Sequence, residues 1–179
     1  MHFLLSLKMM ILFFINSQIG NIYGVKFTTI EGTSRSMSEF AGKKILILVL
    51  SGVKNEINTA YLQRIDSVSK EYADQLFVIG VPFYDDNDHM ENEDTLRQYY
   101  RSTLGAQVII TRGMMTRKAA GNNQSELFSW LTNSQKNTHF DQDVAGAGQK
   151  YFINEKGELF GVLDPTSNLS ERMLKRMLK

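Results

Sequence analysis

The stretch "LSGVKNEINTAY", residues 50–61, decides how the chain is read. It is entered from KILILVL, residues 44–50, a continuous apolar run behind one lysine. Such a run predicts a strand buried on both faces. Beyond the stretch, Ile57, Ala60, Tyr61, Ile65, Val68 and Tyr72 recur at helical spacing and predict an amphipathic helix. Asn55 or Asn58 can cap its start. The junction is thus strand, polar loop, helix, with Asn55 in the loop. No cysteine occurs among the 179 residues. Disulfides, thiolate metal sites and thiol catalysis are therefore excluded. Compartment is not, because a chain without cysteine tolerates either redox state.

Composition describes an ordinary globular chain of one-domain size, 42% hydrophobic and 22% charged. A net charge of +1 gives no electrostatic case for nucleic acid or an anionic membrane. The first residues differ in kind. MHFLLSLKMMILFFINSQIGNIYG carries Lys8, then the apolar MMILFFI, then polar and small residues. It reads as an export signal over residues 1–24, ending after Ser17, Gly20 or Gly24. Residues 25–179 form the expected domain. The expected location is outside the cytoplasm, periplasmic or secreted. If uncleaved, the same segment would tether the chain to a membrane.

Working outward, VKFTTIEGTSRSM predicts a hairpin turning at Gly32. SEFAGKK is a short connector. LFVIGV (76–81) predicts a second buried strand ended by Pro82. Leu96, Tyr99, Tyr100 and Leu104 mark a helix stopped by Gly105. VII (108–110) is a brief strand, and residues 111–125 read as loop. SELFSWLTN predicts a short helix capped by Ser125. KYFIN and ELFGVL flank Asn154–Gly157 as a closing hairpin. A last helix spans 170–178. Strands separated by helical crossovers imply parallel pairing, and the closing hairpin adds antiparallel strands. The expectation is an α/β fold with a central mixed β-sheet flanked by helices and an N-terminal β-hairpin.

Three strings carry a family resemblance. FTTIEGTSRSMSEFAGKKILILVL resembles the opening hairpin, connector and first central strand of the glutathione peroxidases. SELFSWLTNSQK is similar to their P-L-F-x-W-L helix. KYFINEKGELFGVLDPTSNLSERMLKRMLK resembles their closing strand, N-x-x-G turn, strand, Pro-Thr and terminal helix. In their order and spacing the resemblance covers about residues 25–179 and implies a thioredoxin-like fold. The family's catalytic motifs do not carry over. The resemblance places Asn55 where V-A-S-x-C-G-x-T holds cysteine or selenocysteine. It places Asp85 at the glutamine of F-P-x-N-Q-F-G. Gly146 and Ala147, from AGAGQKYF, stand at the tryptophan and asparagine of W-N-F-x-K-F.

The family reaction needs a thiolate or selenolate to attack a peroxide oxygen, and a thiol to reduce the product. An amide has no anion at neutral pH, so Asn55 cannot take that role. A carboxylate at Asp85 would also raise the pKa of any thiol restored beside it. Gly146 and Ala147 remove a large ring, leaving either an open, uncharged hollow or a space filled by neighbouring segments. The nine methionines offer sacrificial oxidation at most, and Met114–Met115 read as gap-fillers under a loop.

Other candidates are weaker. Asp86 and Asp88, in DDNDHMENED, could contribute oxygen ligands to Ca²⁺ or Mg²⁺, although the run lacks EF-hand order. Acidic residues are equally at home before a helix. His89 and His139 stand alone by spacing. Arg112, Arg117 and Lys118 make the 111–125 loop basic, in line with the anion attraction the resemblance implies. No phosphate-binding loop, dinucleotide fingerprint or nucleophile elbow occurs, so no cofactor is expected. Asn123 and Asn168 open glycosylation sequons.

These readings converge on a glutathione-peroxidase-like protein without peroxidase turnover. Its candidate binding residues are Lys54, Asn55, Asp85 and Arg112, for a small ligand or a protein partner of unspecified identity. The alternatives are an enzyme with relocated, metal-assisted chemistry at residues 85–94, and a peroxidase by ancestry alone.

Overall fold

The computed structural model describes residues 20–53, 59–84 and 91–179. Its centre is β3 (Lys44–Ser51), in which Lys44 through Leu50 are all buried. This strand pairs on both sides. It runs parallel to β4 (Leu76–Tyr84) and antiparallel to β7 (Lys150–Ile153). Beyond them lie β5 (Val108–Ile110) and β8 (Leu159–Leu163), giving the order β5-β4-β3-β7-β8. A short β6 (Met114–Met115) pairs with β4 beyond the end of β5. β1 (Lys26–Thr28) and β2 (Ser34–Ser36) form a separate antiparallel hairpin. Gly32 takes φ +88° at its turn, a conformation that favours glycine. A single 3-10 turn, Met37–Phe40, leads from the hairpin to β3. Ser36 caps this turn, and the Glu39 carboxylate accepts the Ser36 N–H in return.

Alternation along β3 divides the core in two. Ile45, Ile47 and Val49 face the N-terminal segment and α3 (Glu126–Leu131), together with Phe27, Phe40, Phe128 and Tyr151. Leu46, Leu48 and Leu50 face the other way. They meet α1 (Thr59–Glu71), α2 (Glu93–Arg101) and α5 (Glu171–Met177) through Leu62, Ile65, Leu96, Tyr100 and Leu174. Each fully buried side chain of this kind contributes about 1.5–3 kcal/mol. Six such residues on two opposite faces explain why the run is continuously apolar.

Residues 20–24 pack against the closing hairpin. Ile22 is fully buried, and its N–H donates to the Gly157 carbonyl at 2.9 Å. Tyr23 Oη donates to the Glu155 carbonyl at 2.6 Å. Among the described residues, no helix is long and apolar enough to cross a membrane.

Four local expectations need correction. First, Pro82 does not end β4, which runs on to Tyr84. Gly80 turns its carbonyl towards β5 and accepts the Thr111 N–H at 3.0 Å. Backbone groups alternate sides along a strand, so Pro82 faces the same way as Gly80. β5 ends at Ile110 and β6 starts at Met114, so no ladder bond is required of the proline nitrogen there. Second, α2 stops at Arg101 rather than at Gly105. The Arg101 guanidinium donates to the carbonyls of Gly105 and Val108, and the Asp66 carboxylate on α1 accepts the Gly105 N–H at 2.8 Å. The chain is thereby pulled across to α1. Third, Ala60 is exposed and Leu62 takes the core position on α1. Fourth, residues 111–125 hold β6 and a 3-10 turn, Lys118–Asn123, so the paired methionines lie in a strand. A four-residue helix, α4 (Ser134–Asn137), follows α3.

Candidate functional site at the end of the central strand

The carboxyl end of β3 is fixed by specific hydrogen bonds. Gly148 N–H donates to the Val49 carbonyl at 2.7 Å, and Val49 N–H to the Gln149 carbonyl at 2.9 Å. Tyr100 Oη, on α2, donates to the Ser51 carbonyl at 2.6 Å. Gly52 follows directly. A Cβ there would lie 2.0 Å from the Phe83 carbonyl oxygen, so only glycine allows the chain to leave the sheet at this point.

Beside this strand end lies a cavity of about 290 Å³. Leu50, Tyr61, Leu62, Tyr100, Ala147 and Pro165 supply much of its wall. α1 contributes Tyr61 and Leu62 on successive positions of its inner side. The 164–168 turn closes the cavity from the carboxyl-terminal side. The Asp164 carboxylate organises that turn, accepting from Thr166 Oγ1 at 2.5 Å and from Ser167 Oγ at 3.0 Å. Those hydroxyl bonds hold the Asp164 carboxyl below the usual carboxylate range.

Two buried polar side chains stand out here. Lys150 is fully buried, and its Nζ donates to the Gly148 carbonyl at 2.5 Å. The carbonyls of Pro165 and Asp164 lie at 3.4 and 3.5 Å from the same atom. Loss of water pushes the ammonium's pKa below the lysine norm, partly countered by the nearby Asp164 charge. The same Nζ lies 5.6 Å from the centre of the Tyr61 ring, within cation–π range. Tyr61 itself has a buried hydroxyl with no hydrogen-bond partner. Burial pushes that hydroxyl's pKa up to about 12.

Of the sequence-derived candidates, Ala147 borders the cavity. Gly146 takes φ +144°, and a Cβ added there would meet nothing within 4 Å. Lys54, Asn55, Asp85, Asp86, Asp88 and His89 lie outside the described residues. Arg112 faces Glu93 at the start of α2, 3.3 Å away, and Lys118 is paired with Asp141. These two cations of the 111–125 loop are thus matched by carboxylates. His139 is exposed, beside Asn154 and Phe160 of the closing hairpin. Among the described residues, no three histidine, aspartate or glutamate side chains gather as a metal site. Sequence reading passes over Lys150, because a lysine at a strand start ordinarily reaches solvent. Asp164 carried a readable signal, the Asp-Pro-Thr-Ser turn.

No family model and no curated protein sequence matches the chain. Solved structures do. GPX1 of T. cruzi superposes with a TM-score of 0.62 at 14% identity, covering 88% of this chain and 94% of its own. A thiol:disulfide interchange protein of Chlorobium tepidum gives 0.59 at 17% identity, covering 89% and 94%. The exposed lipoprotein thioredoxin of Streptococcus pneumoniae gives 0.55 at 15% identity, covering 85% and 96%. The chain has a thioredoxin-like fold: a central mixed sheet between helices, preceded by an antiparallel hairpin. The neighbours that share this fold include a GPX1, a thiol:disulfide interchange protein and a lipoprotein thioredoxin.

Proposed function

We propose that this chain is a glutathione-peroxidase-like protein that binds a small ligand at the carboxyl end of β3 and does not turn over peroxide. One observation carries the reading. The fold is shared with proteins named for thiol chemistry, yet no sulfhydryl exists anywhere in these 179 residues. The cavity beside β3 supports a retained binding role, since its size and its mixed wall of apolar and polar side chains suit a small molecule. Asn55, Asp85, Gly146 and Ala147 are the positions we assign to the lost tetrad. Lys54 and Arg112 are the remaining candidates for ligand contact.

Export belongs to the same reading. The apolar start of the chain supports it, as does the surface location in the name of the pneumococcal neighbour. A leader ending after Ser17 leaves the packed domain whole, whereas cleavage after Gly24 would remove the buried Ile22.

The test is hydroperoxide consumption with glutathione or thioredoxin as reductant. Purified protein should run at the rate measured without protein. Sustained turnover above that rate would refute the reading. Asn55→Cys checks the assigned position: a thiol that titrates and reacts slowly is expected, because Asp85 would oppose its ionisation.

A further inference from the structure

The last helix, α5, carries a charge pattern that the packing of the domain does not use. In RMLKRMLK, residues 172–179, Arg172, Lys175 and Arg176 recur at i, i+3 and i+4 and share one side of the helix. Lys179 follows the last turn and borders the same open groove as those three. Leu174 is fully buried on the opposite side, and Met173, Met177 and Leu178 pack around the same core. All four cations are exposed. Lys175 pairs with Glu171 at 2.6 Å, whereas Arg172, Arg176 and Lys179 have no acidic partner among the described residues. Arg64 of α1 donates to the Leu169 carbonyl at 3.0 Å, just ahead of the helix, and stands 3.9 Å from Glu71. The group thus sets five cations against the two carboxylates Glu71 and Glu171, while the whole chain carries only +1. The rest of the chain is therefore net negative, and the small overall charge hides a one-sided surface. The helix dipole does not account for the stripe. It favours cations in the last turn, as at Lys175 and Arg176, but disfavours Arg172 in the first.

We propose that this stripe docks the domain on an anionic phospholipid surface. Charge complementarity decides the partner. A protein interface is built around an apolar centre. The exposed large apolar side chains among the described residues, Val53 and Phe160, lie outside α5. A discrete anion needs donors that enclose it, and these side chains border only an open groove. A membrane needs neither, because cations gain from the diffuse negative potential of its surface without a fitted contact. Arg172, Lys175 and Arg176 span about 6 Å of helix rise, less than the Debye length of about 8 Å at physiological salt, so they act on that surface together. The apolar start of the chain, which would tether it if uncleaved, gives the domain a reason to meet a membrane at all. The apolar side of α5 is spent on the core, so docking is electrostatic and the helix does not insert.

The test sediments the full chain with vesicles of equal parts phosphatidylglycerol and phosphatidylcholine, and with vesicles of phosphatidylcholine alone. The readout is the ratio of the two affinities, so any insertion of the apolar start, common to both, cancels. At about 0.1 M salt the ratio should be on the order of 100, at about fivefold for each surplus cation. Raising the salt to about 1 M, where the Debye length is about 3 Å, should bring it near one. Arg172→Gln combined with Arg176→Gln should lower the ratio about 25-fold. Both side chains are exposed, so the melting temperature should not move. Lys26→Gln combined with Lys156→Gln removes exposed cations from β1 and the closing turn and should leave the ratio nearly unchanged. A ratio near one at low salt, a ratio that survives high salt, or equal losses from the two double variants would overturn the proposal. So would refusal of the vesicles with capture of polyuridylate, which would assign the stripe to nucleic acid.

Discussion

The two faces of the central sheet handle a buried tyrosine in opposite ways. On one face, Tyr151 receives a hydrogen bond from Gln149 Nε2 at 2.9 Å and sits between Phe128 and Phe140, with ring centres 6.2 and 6.3 Å away. On the other, Tyr61 borders a cavity and its hydroxyl has no partner. The first face is finished as a core. The second is finished only up to the strand end, where α1, α2 and the 164–168 turn stand apart. Both faces carry a full apolar core, and the face of Tyr61 also borders the cavity at the end of β3.

Matched truncations give the largest expected contrast. Leu131 is fully buried on the closed face, and Leu62, 5% exposed, stands at the cavity. Leu131→Ala should cost about 4–5 kcal/mol, and Leu62→Ala about 2–3 kcal/mol. The same atoms are removed, but the site at Leu62 already borders space that water can occupy. Urea unfolding of both variants measures the gap, and equal losses would erase the distinction between the faces.

Lys150→Met comes next. It leaves the carbonyls of Gly148, Asp164 and Pro165 without their shared donor, at an expected loss of about 1–3 kcal/mol. Amide exchange should quicken around residues 147–149 and 164–168 more than in β3. Uniform quickening through the sheet would show that Lys150 supports the core rather than the cavity wall.

Tyr61→Phe carries a smaller effect of the opposite sign. Removing a buried hydroxyl that has no partner should leave stability unchanged or raise it by about 1 kcal/mol. By contrast, Tyr151→Phe strands the Gln149 amide and should lower stability by about 1 kcal/mol. The Tyr61 hydroxyl also sets a pH dependence. Its pKa is raised from 10.0 to about 12, so the native state favours the protonated form. That contribution is complete below pH 10 and is lost as pH rises from about 10 through about 12. Thermal melts across that window should fall less steeply for Tyr61→Phe than for the parent chain, and identical slopes would deny the burial of this group.

The elements of both faces are legible in the sequence, and the cavity between them is not. KILILVL announces β3 because a strand buried on both sides tolerates no polar interruption. Ser125 and the Asn154–Gly157 turn likewise mark their elements through local chemistry, and the structure places a helix cap and a hairpin there. Local chemistry also misleads. Pro82 looks like a strand end, yet it occupies the one stretch of β4 where β5 has ended and β6 has not begun. Gly105 looks like a helix stop, yet Arg101 and Asp66 turn the chain first. The cavity wall draws on residues from 49 to 168, and no periodicity links Tyr61 to Pro165. The missing thiol is visible at once, because absence of a residue type needs no structure.

The central claim is that this thiol-free fold holds an enclosed, ligand-sized space at the end of β3, beside Tyr61. Diffraction from crystals held under xenon tests it most directly. The account predicts a xenon atom among Leu50, Tyr61, Leu62 and Tyr100, and none among Phe128, Phe140 and Tyr151. Xenon seated on the Tyr151 face, or refused at Tyr61, would contradict it.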